Sequence, residues 1–385
     1  MHRWSLPGRP LGLLLGLALL AVPQWGGSAR AADKFTKVTF DTVDGVTLQG
    51  TFYPSPKGKD EPTVLLLHKI GSDSHKDGWD SLAAALNDKG YSVLSFDFRG
   101  HGNSTTVDPK TFWMNYGWNA KLIKGGALDA KGKPKDSIDH KHFTPAYYPY
   151  LLNDIAAAKW FLDERNDATD CNSRSLILIG AEDGATLGAL WMESEWNRYG
   201  AATVLLNPRN PMLPPLVRGV EKEPEGKDQY CAIWLTLTPS LGGRMSVSTS
   251  LKNALRKSAR EKSVPMAFLY GENDTSGKEH AKDFVKLIKG EDAEKFPFTA
   301  ELGITDAKNL TGSALLRKNL GTEGRILTYL EKVRDKKVTS KWKKVDAAST
   351  AYVWTFPNTP YRGAKEEKGK ALEPIPLDRL NLLTP

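Results

Sequence analysis

Cysteine is nearly missing from this chain: there are two in 385 residues, Cys171 and Cys231. That scarcity excludes a cysteine-based zinc module and a multi-bridge disulfide framework. An oxidising compartment still permits one bridge. Cys171 precedes the apolar run that ends at Gly180, and Cys231 begins a later run. If the runs are parallel strands, both thiols lie near one edge, so a Cys171–Cys231 bridge is expected, worth roughly 2–4 kcal/mol.

A strong excess of one charge is also missing. The formal net charge is +8, and removal of residues 1–31 takes away only Arg3, Arg9 and Arg30, leaving +5. Nucleic-acid binders carry a clustered basic face, so no nucleic-acid partner is expected. The densest basic stretch, KVRDKKVTSKWKK at residues 332–344, reads as a solvated helix end ahead of a membrane-surface or anionic-polymer patch. No apolar run reaches the roughly 20 residues that cross a bilayer. Residues 11–22 are instead flanked by Arg3 and Arg9 on one side and Ala29-Arg30-Ala31 on the other, the three parts of a secretory signal. The chain is therefore expected to be exported, periplasmic or extracellular, with no transmembrane span once residues 1–31 are cleaved.

What is present is an alternation of strand and helix patterns. KFTKVTFDTVDGVTLQGTFYPS alternates apolar and polar residues around Asp44-Gly45 and reads as a hairpin. TVLLLH, YSVLSFDF, SLILIG, YCAIWLTLTP and PMAFLYG are continuous apolar runs of the kind buried on both faces. FPFTAEL is a further strand candidate. WDSLAAALNDKG, LLNDIAAAKWFLDERND, LKNALRKSAR and SGKEHAKDFVKLIKG have helical spacing between them, as do the residues after Gly184 and those near 313–333. This order predicts a mostly parallel sheet flanked by helices. Residues 32–335 are expected to form one α/β domain interrupted at about 104–149 and 200–229. The first interruption carries Trp113, Tyr116, Trp118, Phe143, Tyr147 and Tyr148, and is expected to pass over the strand ends rather than join the core. A basic, proline-containing extension follows at 336–385, expected to lie extended along the surface.

The order of elements, with DGVTLQGTFYP, VLLLHKIG, VLSFDFRGHGNS and LIGAEDGA, resembles the α/β-hydrolase superfamily, in its serine aminopeptidase and dienelactone-hydrolase-like branches. The resemblance covers residues 35–335. It implies a nucleophile elbow at Gly180-Ala181-Glu182-Asp183-Gly184, matching G-x-S-x-G everywhere except the reacting position, where Glu182 stands. It places the triad acid at Asp274 and the oxyanion loop at His68, where Lys69 replaces the usual glycine. In FDFRGHGNS, Asp97, Arg99 and His101 are expected to fix the turn. The loop that should carry the triad histidine, LGITDAKNLTGSALL, has none, and His280 lies on the wrong side of it in chain order.

A serine hydrolase needs a nucleophile, a base and an orienting acid, and only the acid is left. Aspartate-nucleophile branches of the superfamily rely on a histidine to release the ester. Glu182 adds a methylene, and a displacement of about 1 Å can lower rate by about a hundredfold. Glu182 and Asp274 are expected to pair with Lys69 and Lys308. The resulting reading is an exported hydrolase-fold protein that binds a small molecule, glycan or protein, with Lys69, Asp183, Lys308, Trp113, Tyr116 and Trp118 as binding candidates. Two alternatives stay open: a hydrolase of ester or amide bonds with Ser72 or Ser104 as nucleophile and His68 or His101 as base, and a structural or envelope-associated protein whose basic C-terminal part, residues 336–385, makes the contacts. His68, Glu182 and Asp183 lack metal-ligand spacing, so neither a metal nor a cofactor is expected.

Overall fold

The computed structural model describes residues 34–197, 225–317, 320–347, 352–355 and 373–376. The expected signal segment at 1–31 and most of the second interruption lie outside the described residues. Around the Asp44-Gly45 turn, β1 (Thr36–Asp41) and β2 (Thr47–Tyr53) pair antiparallel, and β2 then pairs antiparallel with β4 (Ser92–Phe96). From β4 onward the sheet is parallel, through β3 (Pro62–Leu67), β5 (Asn172–Ala181), β6 (Gln229–Leu235), β9 (Met266–Gly271) and β10 (Ala300–Ile304). The two-residue strands β7 (Ser240–Leu241) and β8 (Met245–Ser246) form a separate ribbon after β6. A second small antiparallel pair joins β11 (Tyr352–Thr355) to β12 (Glu373–Pro376).

Successive side chains of the central strands face opposite sides of the sheet, and two cores result. Leu65, Leu67, Leu176 and Leu178 face helices α3 (Leu152–Asp167), α4 (Asp183–Asn197), α5 (Ser248–Leu255) and α6 (Thr275–Lys289). Val64, Leu66, Ile177 and Ile179 face α1 (Trp79–Asp88) and α7 (Thr322–Arg334). Each such side chain, fully removed from water, stabilises the fold by roughly 1.5–3 kcal/mol.

That two-faced arrangement overturns the expected disulfide. Cys171 belongs to the first core and Cys231 to the second, and both thiols are free. The register sets Cys231 beside Ile177, six positions further along β5 than Cys171. At about 3.3 Å per residue this is far beyond the roughly 7 Å that a bridge can span. Burial pushes each thiol up to about 12, so both are inert.

The first interruption is also placed differently from expectation. Phe112, Trp113, Phe143 and Tyr147 are buried in the first core, alongside the short helix α2 (Gly117–Leu122). Trp113 donates its indole N–H to the carbonyl of Lys135 at 2.6 Å and is a core residue, not a binding surface. Tyr116 and Trp118 are half-buried, and Trp118 stacks on Tyr150 with ring centroids 5.5 Å apart. Among the described residues no helix is long and apolar enough to cross a membrane.

Candidate functional site

Where β5 ends, the chain turns sharply into α4. Glu182 sits at the apex with φ +48°, a left-handed conformation that costs a non-glycine residue about 1–3 kcal/mol. Its N–H donates to the carbonyl of Leu235 at 2.9 Å, and its own carbonyl accepts from Thr186 N–H at 3.1 Å. The flanking glycines are required by close approach. A Cβ on Gly180 would stand 2.7 Å from the Cα of Ala185, and one on Gly184 would strike the carbonyl oxygen of His68. The elbow's backbone is therefore complete.

The side chain of Glu182 is held by two groups. Thr311 donates its hydroxyl to Oε1 at 3.0 Å, and the Lys69 ammonium lies 3.3 Å from Oε2. The side chains of Lys69 and Glu182 are 32% and 18% exposed, so water screens this pair. Gly312, at φ +54°, lies against the carboxylate so closely that a Cβ there would collide with it. Its N–H donates to Thr236 Oγ1 at 2.9 Å. Thr311 and Gly312 belong to the loop after β10, where the resemblance places a histidine.

The same loop is fastened to the segment following β3. Asp77 accepts from the Ser313 hydroxyl at 2.8 Å and from Arg317 at 3.0 Å. Burial opposes the charge on Asp77, but the Ser313 and Arg317 hydrogen bonds hold its carboxyl below the usual range.

Asp183 accepts from the N–H of Gly242 at 2.7 Å. Burial pushes its carboxyl up to about 6, with the neighbouring Glu182 charge adding to the effect. Gly242 lies against the Tyr148 ring, which brings the aromatic insertion to the elbow.

The other expected partners are placed elsewhere. Asp274 caps α6, its Oδ1 accepting from Gly277 N–H at 2.9 Å. Its buried Oδ2 has no hydrogen-bond partner among the described residues. A Cβ on Gly277 would lie 3.2 Å from Thr236 Cγ2 and would also meet Asp274 Oδ2, so Asp274 and Thr236 converge there. Lys308 is exposed, has a left-handed backbone (φ +49°) and makes no ion pair among the described residues. The expected Asp274–Lys308 pair is not formed.

His68 and His101 are locked by backbone. Each ring faces a carbonyl with Nδ1, at 2.8 Å from Lys69 O and Arg99 O respectively. Each accepts an N–H with Nε2, from Phe98 and Gly71 at 2.9 Å. Both rings are thus neutral Nδ1–H tautomers, and burial holds both below the ordinary histidine value. His68 has no nitrogen left for a metal shared with Glu182 and Asp183. Among the described residues no three His, Cys, Asp or Glu come together to hold a metal.

Neither ring is hydrogen-bonded to Ser72 or Ser104, since both nitrogens of each are taken by backbone. Ser104 is fully buried and its hydroxyl oxygen accepts from Gln49 N–H at 2.8 Å. Among the described residues no histidine ring is hydrogen-bonded to a serine, threonine or cysteine side chain, or to Glu182, Asp183 or Asp274.

Arg99 is the structural hub of the turn after β4. Its guanidinium is fully buried and binds Asp44 at 2.6 and 2.9 Å, Asp154 at 2.7 Å and Tyr147 Oη at 3.1 Å. The hairpin, α3 and the insertion are joined through this one side chain. Asp97, in the same turn, accepts from Ser74 N–H and Oγ and from Asn103 N–H.

The sheet order and the glycine-bounded elbow agree with the family that the sequence matches. The model of the alpha/beta hydrolase family matches residues 64–286, and the chain belongs to that family. An uncharacterized protein of Mycobacterium tuberculosis is 37% identical over 67 residues, 17% of this chain and 23% of that protein; the match thus spans about a quarter of the relative's length. An esterase of Pyrococcus furiosus is similar in structure at 15% identity and TM-score 0.46, over 77% of this chain and 90% of that one. A dienelactone hydrolase of Anabaena variabilis is similar at 12% identity and TM-score 0.43, over 78% and 96%. A putative alpha/beta hydrolase of Agrobacterium tumefaciens is similar at 16% identity and TM-score 0.46, over 80% and 100%.

Proposed function

We propose that this chain is an exported α/β-hydrolase-fold protein that has given up serine-hydrolase chemistry and acts by binding. One observation carries the reading: the elbow residue is a carboxylate already bound to Lys69 and Thr311. A serine there would need a base to take its proton. Thr311 occupies the loop that would supply one, and a hydroxyl does not act as a base at neutral pH. A carboxylate needs no base to attack, but it needs one to activate the water that releases its ester. An ammonium at its oxygen also lowers its reactivity. The reactive position thus holds a resident anion, and any covalent adduct would persist.

A ligand of this protein, whether small molecule, glycan or protein, would meet the carboxyl ends of the strands beside Lys69 and Asp183, where Gly242 brings the half-buried Tyr148 ring to the elbow. Open α/β sheets bind ligands outside the carboxyl ends of their strands.

The test is treatment of the purified mature chain with a fluorophosphonate probe. No covalent adduct is expected by intact mass. Labelling that disappears in Ser72→Ala or Ser104→Ala would establish an active hydrolase instead. Export is tested by N-terminal sequencing of the protein recovered outside the cytoplasm, where a chain beginning at Ala32 is expected.

A further inference from the structure

Residues 336–347 run across the edge of the sheet opposite the elbow. They are fastened there by inward-facing contacts. The N–H of Ser340 donates to Ser175 Oγ at 2.9 Å, and its carbonyl accepts from Asn172 Nδ2 at 2.7 Å. The Trp342 indole donates to the carbonyl of Asn166 at 2.9 Å, and Asn166 Nδ2 donates to the carbonyl of Lys343 at 2.9 Å. Asp167 accepts the N–H groups of Val345 and Ala347 at 2.7 and 2.9 Å. Tyr230 Oη donates to the carbonyl of Lys337 at 2.6 Å. The partners stand at the starts of β5 and β6 and at the end of α3, so the strap is ordered by the fold itself.

Because the backbone and the indole make these contacts, the remaining side chains turn outward. Ser340, Trp342, Val345 and Ala347 are half-buried or buried, whereas Lys336, Val338, Lys341, Lys343 and Lys344 are exposed. Val338 is 91% exposed, the most exposed of the large apolar side chains described. None of Lys332, Lys336, Lys341, Lys343 and Lys344 is in an ion pair among the described residues. Lys59 adds a further ammonium, 3.7 Å from the centre of the Trp342 ring.

The acids of this region are mostly engaged. Glu331 pairs with Lys89, Glu61 with Arg334, and Asp170 with Arg165. Asp60 accepts the N–H of Trp342. Asp167, which faces Lys344, is held below the usual carboxylate range by the Val345 and Ala347 N–H groups against the opposing effect of burial. Asp335 is exposed among the lysines, and Asp346 lies on the strap itself. The surface therefore combines a positive excess with an outward aliphatic side chain on a pre-ordered backbone.

We propose that this strap is a docking surface for a membrane of anionic phospholipid. Ammonium groups beside an anionic bilayer each strengthen attachment about fivefold, and this attraction falls off within a Debye length. An exposed valine amid them suits an interface with an apolar interior; it offers nothing to a soluble polyanion. No ordering of the strap is needed on contact, which removes an entropic penalty that flexible basic tails carry. This inference does not depend on whether the elbow is catalytic.

The experiment is sedimentation of the mature chain with vesicles of phosphatidylglycerol and phosphatidylcholine in equal parts, and with vesicles of phosphatidylcholine alone. Binding is expected to the mixed vesicles only, with release by high salt. The combined variant Lys336→Gln, Lys341→Gln, Lys343→Gln and Lys344→Gln should weaken binding by at least about a hundredfold, the product of about fivefold steps. Val338→Asp should weaken it with the lysines intact. The smaller pair Lys343→Gln and Lys344→Gln serves if the four-site variant does not reach the wild-type melting temperature. Failure of the wild-type chain to bind mixed vesicles, or unchanged binding by a folded lysine variant, would overturn the proposal. So would capture by soluble polyphosphate with no binding to vesicles.

Discussion

The turns after β4 and β5 leave the same edge of one sheet, yet they are built in opposite ways. At the first, Arg99 is wholly buried and its charge is met by Asp44, Asp154 and Tyr147 at 2.6 to 3.1 Å. At the second, Glu182 is partly exposed, holds one hydroxyl bond and faces an ammonium at 3.3 Å. The turn that shapes the fold is over-determined by contacts from three elements. The turn that would react keeps its strained backbone and its glycines, but its side chain is held by contacts that single substitutions can remove. The two turns of one sheet are thus held to different degrees.

The largest effect expected from this contrast is at the first turn. Arg99→Met leaves Asp44 and Asp154 buried without their cation, and breaking a buried pair in this way costs about 3–5 kcal/mol. Chemical denaturation should show that loss or a failure to fold; a change below about 1 kcal/mol would mean that the network is not what joins hairpin, helix and insertion. Gly184→Ala comes next. The added methyl would press on the carbonyls of Leu67 and His68, backbone that cannot swing aside, and overpacking of this kind costs typically about 1–3 kcal/mol.

The histidines give a pH-dependent test of intermediate size. Burial, with the neighbouring His68 and His140 rings, holds His101 well below its ordinary value, whereas the unfolded ring takes a proton near about 6.5. The stability that neutral His101 supports is therefore full above about pH 6.5 and is lost as the pH falls toward the folded value. Asp154 and Asp183, both pushed up to about 6 chiefly by burial, act in the opposite sense, since their folded forms take up protons first as the pH falls. His101→Gln keeps an acceptor for Gly71 N–H but does not titrate. Its stability relative to wild type should improve steadily from about pH 7 to about pH 5, and a constant difference in urea titrations would contradict the assignment.

The smallest effect is expected at the second turn. Lys69→Met removes the ammonium from a pair that water screens, and such pairs contribute about 0–1 kcal/mol. A loss several times larger would show that the Glu182 pair organises the fold as Arg99 does.

The sequence made some of this legible and hid the rest for physical reasons. Continuous apolar runs marked β3, β4, β5, β6 and β9, and G-A-E-D-G marked the elbow, because backbone sterics leave glycine as a readable trace. Lys69 followed from its position after His68. Thr311 and Gly312 carried no comparable signal: a threonine beside a glycine is ordinary loop chemistry, and only the three-dimensional approach of that loop to β5 makes Thr311 the partner of Glu182. The Cys171–Cys231 bridge is not formed because position near a strand end does not reveal which face a cysteine occupies, and the two occupy opposite faces. The aromatic insertion is hidden in the sequence because its glycines, lysines and aspartates resemble surface loop, while Phe112, Trp113, Phe143 and Tyr147 fill the first core.

The central claim is that Glu182 is a resident anion standing where a serine and its histidine would act. Its most direct test is the hydrolysis of p-nitrophenyl acetate by the wild-type chain, by Glu182→Ser, and by Glu182→Ser combined with Thr311→His. The wild type and the single variant should run at the buffer rate, and the double variant, which restores a nucleophile and sets a base on the loop where Thr311 meets position 182, should exceed it. Wild-type turnover above the buffer rate that vanishes in Glu182→Gln would contradict the claim, because it would make Glu182 a working nucleophile.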